Sequence, residues 1–196
     1  MKKIFFIVLS VSLIFVFCAC SANTFTDSSE NTLLRIIPSE YFENWGDLDE
    51  QDYVDYVEDL GDEYITSVSI DDGDVILEMT EEQLYSYIEY TNDILDGYID
   101  EYESYYNDAT SVEISDDYTT LYIYMTDDSY GSTILFKRLP RIYVGYALNY
   151  MLINDTTDFD LTVKFINANN ENIIVEGSAF YDELDYDTQM WEDSYN

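Results

Sequence analysis

The chain contains no histidine, and its seven Lys and Arg face 42 Asp and Glu, for a formal net charge of -35 over 196 residues. Without histidine the usual zinc ligands and the commonest general base are missing, and so is every Ser-His or Cys-His nucleophile pair. So few cations could not neutralise a run of phosphates, which excludes nucleic acid as a partner. There are two cysteines, Cys18 and Cys20, both at the end of one apolar run, so the body of the chain carries no disulfide framework. Proline is scarce too, with Pro38 and Pro140 alone to break periodic segments. What is abundant is aromatic: 21 Tyr and 10 Phe within 47% hydrophobic residues argue for a folded body despite the charge. About 175 residues remain beyond the N-terminal run, enough for one domain with a real core.

Lys2 and Lys3 precede an apolar stretch from Ile4 to Phe17 that only Ser10 and Ser12 interrupt, the layout of a secretory signal. It is shorter than the roughly 20 apolar residues a spanning helix needs, and no Lys or Arg stop-transfer flank follows. The residues that close it, Phe17-Cys18-Ala19-Cys20, resemble the lipobox of bacterial lipoproteins, in which a small residue precedes the cysteine that is acylated and becomes the first residue. Phe17 and Cys18 depart from the aliphatic and small residues usual at their places; cleavage after Ala22 and an uncleaved membrane helix are the alternatives. The resemblance covers residues 1–21 and implies a signal peptide over 1–19, a lipidated Cys20, and attachment to the membrane through that anchor, on the extracytoplasmic face. A multiply acylated cysteine gives durable attachment where a single acyl chain does not. The acidic domain behind it is repelled by anionic lipid and is expected to stand off the surface on its tether.

From Cys20 to Thr32 the chain is polar and aperiodic, as a tether is. Leu33 to Ile37 is a short apolar run stopped by Pro38. Asp47 with Glu50 suggests a capping box for a helix over 48–60, with Val54, Val57 and Leu60 at helical spacing and Gly61 at its end. Thr66 to Ile70 and Val75 to Met79 alternate around Asp71-Asp72-Gly73-Asp74, a hairpin signal. Thr80 and Gln83 form a second capping box, opening a helix whose stripe runs through Leu84, Ile88, Leu95, Ile99 and Tyr102, with Gly97 marking a close crossing or a bend. The pattern recurs from Thr110 to Thr126, so a hairpin-helix unit is read twice. Ser132 to Ile153, apolar on nearly every face, reads as a buried helix split by Pro140. Phe159 to Phe165 and Ile173 to Phe180 give a third hairpin, and residues 181–196 read as a frayed acidic tail. The expectation is a single α+β domain over 33–180, with an antiparallel sheet of about six strands built from three hairpins and helices packed on one face.

Three groups of residues are candidate sites. Asp71, Asp72 and Asp74, with Asp155, Asp158 and Asp160, concentrate oxygen ligands in two loops where calcium could bind, although neither follows EF-hand spacing; a tight turn and a helix-to-strand loop are the plainer readings. Lys137, Arg138 and Arg141 gather three of the five basic residues beyond the signal, suited to an anionic ligand or to stitching helices onto acidic neighbours. Tyr122 and Tyr124 alternate with Leu121, Ile123 and Met125, so the two rings share the opposite face of a strand, as in sugar-binding surfaces. No cofactor other than calcium is implied. Function is expected to be non-enzymatic, a binding or interaction module with an extracytoplasmic ligand or protein partner. The alternatives are an acidic hydrolase of the glycosidase type with paired carboxylates, and a structural or self-protection lipoprotein.

Overall fold

The computed structural model describes residues 31–45, 49–105, 111–130, 138–157, 160–182, 184 and 187–196. The signal segment, Cys20, nearly all of the tether, Lys137, Asp158 and the expected N-cap Asp47 lie outside them. Among the described residues there are five helices and seven strands, and no helix is long and apolar enough to cross a membrane.

The architecture is α+β, but the strands form two sheets instead of one. β2 (Ser67–Asp71) and β3 (Asp74–Met79) make the expected hairpin, in which Asp72 (φ 54°) and Gly73 (φ 94°) supply the two successive positive φ angles of a tight primed turn. β1 (Leu33–Ile37) adds to its other side, antiparallel to β3 with Arg35 opposite Leu77, giving the order β1-β3-β2. The second hairpin, β4 (Ser111–Ile114) and β5 (Thr120–Met125), and the third, β6 (Thr162–Asn167) and β7 (Ile173–Ser178), join into a four-stranded sheet. Their junction is parallel, β5 to β6, with Ile123 opposite Phe165. An all-antiparallel sheet is ruled out by the helix between them: a crossover returns the chain in its starting direction, as parallel pairing requires.

That crossover helix is α4 (Leu139–Asn154). Pro140 stands at its start. It lies in the first turn, where a missing N–H costs no hydrogen bond. Residues 132–137 of the expected helix lie outside the described ones. The apolar character of α4 on most faces follows from its position between two cores. Leu139, Val144 and Ala147 pack with Leu121, Ile123, Met125, Val163 and Phe165 of the four-stranded sheet. Leu148, Met151 and Leu152 pack with Ile37, Val75, Leu77 and Met79 of the other.

Three further helices lie on the three-stranded side. α1 is Ser39–Trp45. α2 (Glu50–Leu60) begins one residue pair later than expected, because Asp49 is its N-cap and accepts the Asp52 amide at 2.8 Å; Gly61 (φ 84°) ends it. α3 (Glu81–Tyr105) opens with the expected box: Thr80 Oγ1 accepts the Gln83 amide at 3.1 Å and Gln83 Oε1 accepts the Thr80 amide at 2.7 Å. The close crossing of α3 and α4 is not at Gly97, around which a Cβ would meet nothing within 4 Å, but at Gly145, where a Cβ would lie 2.8 Å from Leu95. Buried Asn149 of α4 spans the same interface, donating to Thr91 Oγ1 at 2.9 Å and Asn92 Oδ1 at 2.8 Å.

The expected frayed tail is instead folded. Asp187 caps α5 (Thr188–Asp193) by accepting the Met190 amide at 2.9 Å, and Trp191, 5% exposed, stacks on Tyr130 at 5.1 Å. The turn between β6 and β7 grips the C-terminal end of α5 and the two residues beyond it. Asn167 donates to Ser194 Oγ at 2.8 Å, Asn170 and Asn172 both donate to the Ser194 carbonyl, and Asn169 donates to the Tyr195 hydroxyl.

Candidate functional site

Pro38 ends β1 and the chain turns at once into α1, whose first amide, Ser39 N–H, is held by the Asp74 carboxylate at 2.9 Å. This hydrogen bond fixes the start of α1 to the first hairpin turn and lays Glu40 and Tyr41 beside α4. From the far end of the chain, Ser178 closes a turn after β7: its Oγ accepts the amides of Phe180 at 3.0 Å and Tyr181 at 2.9 Å, and donates to Asp160 at 2.6 Å. Phe180 and Tyr181 are thereby brought to the same place as Tyr41.

The three meet in a small cleft of about 80 Å³. Its aromatic wall is Tyr41, Phe180 and Tyr181, with Tyr41 tilted 44° to Phe180 at 6.5 Å and Phe180 tilted 49° to Tyr181 at 6.4 Å. Pro38 and the α4 residues Leu148 and Met151 supply the apolar floor, and Glu40 and Thr157 the polar rim. Phe180 is buried while Tyr181 is 65% exposed, so the wall grades from core to solvent. The Tyr41 hydroxyl has no hydrogen-bond partner among the described residues, and burial pushes its pKa up to about 12. Tyr41 also packs against both cores, so the cleft lies where they meet.

The residues singled out from sequence are distributed differently. Asp72 forms the hairpin turn with Gly73, Asp74 caps α1, Asp155 sits at the left-handed end of α4 (φ 53°) and pairs with Arg35 at 3.2 Å, and Asp160 holds the Ser178 turn. Asp71 pairs with Asp74 across the hairpin end and is exposed, and Asp158 is outside the described residues. Among the described residues no three acids come together in a metal-binding group. Arg138 precedes α4 and donates to the Tyr102 hydroxyl at 3.4 Å; Arg141 is exposed one turn on. Tyr122 and Tyr124 do lie together, half-buried on the outer face of the four-stranded sheet beside Lys164, which pairs with Glu176 at 3.1 Å. The Tyr124 pKa is raised by burial, with Glu113 and Glu171 adding to it.

Two features escaped the sequence. Arg35 is buried in β1, donating to the Leu152 carbonyl from Nε and to the Leu34 carbonyl from Nη1, so it serves as the cation at the C-terminus of α4. The single signal for it was a lone Arg inside an apolar strand pattern. The cleft draws on residues 38–41, 148–157 and 180–181, and no local pattern connects them. Comparison with protein-family models, with curated proteins and with solved structures gives no match for this chain.

Proposed function

We propose that the protein is a lipid-anchored extracytoplasmic lipoprotein, attached through Cys20, whose folded domain is a binding module with the cleft beside Tyr41 as its ligand site. The observation that carries the binding role is the cleft itself: an aromatic wall and an apolar floor come together where the two cores meet. Its rim holds one carboxylate, Glu40, among the described residues, whereas glycoside hydrolysis needs two facing each other across the bond. The Lys2-Lys3 run and Phe17-Cys18-Ala19-Cys20 support the anchor.

Two measurements on the full chain test this. Labelled palmitate fed to expressing bacteria should enter the protein and be lost in Cys20→Ser, with the domain digestible by protease added outside; an unlabelled product, or a protected domain, would remove the anchor. A fragment screen by protein melting should find small solutes that stabilise the wild type saturably and do not stabilise Thr157→Trp, whose indole fills the cleft. If Thr157→Trp responds like the wild type to every hit, the cleft is not the ligand site.

A second surface has an observation of its own. Tyr122 and Tyr124 are half-buried and side by side, so a glycan could stack there. Loss of oligosaccharide retention in Tyr122→Ala/Tyr124→Ala, with Thr157→Trp unaffected, would move the site to that face.

A further inference from the structure

Building on the cleft as ligand site, the geometry points to a specific ligand chemistry: a quaternary ammonium group, of the kind choline carries, seated against Tyr41, Phe180 and Tyr181 with Glu40 as its counter-charge. Three features of the site converge on it. First, the wall is aromatic: Tyr41, Phe180 and Tyr181 all line the one space, and the negative face of an aromatic ring attracts a cation within about 6 Å of its centre. Second, the space is small. At about 80 Å³ it is well below the roughly 300–1,000 Å³ of drug-sized sites, so it admits a headgroup and leaves the remainder of the ligand outside. Third, the apolar floor of Pro38, Leu148 and Met151 suits methyl groups, whereas a primary ammonium would surrender its hydration there without a ring of acceptors to replace it.

Charge favours the same answer. Glu40 stands at the rim, and the surrounding chain, at -35, draws cations toward the surface and repels anions. An anionic ligand would meet a carboxylate and no basic side chain among the described lining residues. A neutral apolar ligand would fit the floor but would make no use of Glu40.

The test uses the full chain in a maltoside detergent and follows melting temperature and tyrosine fluorescence against choline chloride, with sodium chloride at equal ionic strength as control. Salt alone stabilises a chain of this charge by screening, so a saturable response beyond the control is what counts. Two comparison ligands decide the chemistry. 3,3-Dimethylbutan-1-ol has the shape of choline without its charge, and Nα-acetyl-lysine amide carries a primary ammonium such as a protein partner would present. Choline binding about tenfold tighter than either supports the inference, as does a roughly two- to fivefold loss in Tyr181→Ala and in Glu40→Gln, whose exposed positions leave the fold intact. Equal binding of the neutral alcohol overturns it and leaves the cleft a site for apolar ligands, so the binding module survives. Equal or tighter binding of the lysine derivative overturns it in favour of a protein side chain. No response to any of the three, with a fragment hit still blocked by Thr157→Trp, overturns the ammonium assignment alone; no response and no such hit removes the cleft as a site altogether.

Discussion

Arg35 is the side chain whose loss should be felt most for its size. It is 9% exposed, and its guanidinium donates to the Leu152 carbonyl at 2.5 Å and the Leu34 carbonyl at 2.9 Å while lying 3.2 Å from the Asp155 carboxylate. A hydrogen bond from a charged donor contributes about 1.5–3 kcal/mol, and a cation at a helix C-terminus a further 0.3–1 kcal/mol or so. The ion pair adds little, because the Asp155 side chain is 70% exposed and such pairs are worth roughly 0–1 kcal/mol. Arg35→Met keeps the stem and removes the charge, so the expected cost is about 2–4 kcal/mol, read as a lower urea midpoint at unchanged m value. Asp155→Asn should cost about 0.5 kcal/mol. The Arg35→Met cost should also hardly change between about 0.05 and 0.5 M salt, since the buried bond to Leu152 is screened far less than the exposed pair. If Asp155→Asn proves as costly as Arg35→Met, or if Arg35→Met costs less than about 1 kcal/mol, the guanidinium is not acting as the cap of α4.

Other consequences rest on particular contacts. Trp191→Ala should destabilise by about 3–5 kcal/mol, the range for a deleted core aromatic, and calorimetry would show a frayed segment instead by finding no change in melting temperature. Gly145→Ala and Gly97→Ala form a matched pair: the first drives a methyl into Leu95 and should cost about 1–3 kcal/mol, the second meets open space and should gain about 0.5–1 kcal/mol. The reverse order in denaturation would misplace the crossing of α3 and α4. Alkali should unfold the protein through its buried phenols. Burial holds the pKa values of Tyr41, Tyr53 and Tyr87 above the ordinary 10, with Tyr53 and Tyr87 sharing a hydroxyl contact at 2.5 Å. The phenol form is favoured in the fold, so this stabilisation is complete below pH 10 and is lost as pH rises through the folded values, about 12 for Tyr41. Absorbance at the tyrosinate band should therefore show a late group rising together with unfolding; all tyrosines ionising near pH 10 in the folded protein would contradict it.

The sequence made legible those features that near neighbours decide. Asp72-Gly73 specified its turn because few residues tolerate two positive φ angles, and Thr80 with Gln83 specified the start of α3 because both partners lie within one turn. Leu121, Ile123 and Met125 announced the buried face of β5 through their alternation. Pairing between elements was not legible. β1 looked like any short apolar run, and nothing within it names β3 as its partner. The parallel junction of β5 and β6 depended on α4 acting as a crossover, which apolarity alone does not reveal. Residues 181–196 looked like a tail because six acids are spread through them without periodicity, yet a single Trp and a grip of asparagines from 167–172 decide the outcome. The cleft was least legible of all, since Tyr41 and Phe180 are far apart in the chain and each, taken alone, is an ordinary aromatic.

The division of α4 between two cores has a mechanical side. Ala147 faces one sheet and Leu148 the other, so the boundary between the cores passes through a single peptide unit of one rigid helix. Melting either sheet strips half of that helix of its partners, and a helix of this length does not hold alone in water. The two sheets must therefore open together. Slow amide exchange in β3 and in β6, which share no hydrogen bond, should report one common opening energy, as it would in a single cooperative unit. A group wedged into the cleft, against Leu148 and Met151, presses on the one element that both sheets lean on, and its binding should tighten backbone protection on both sides at once.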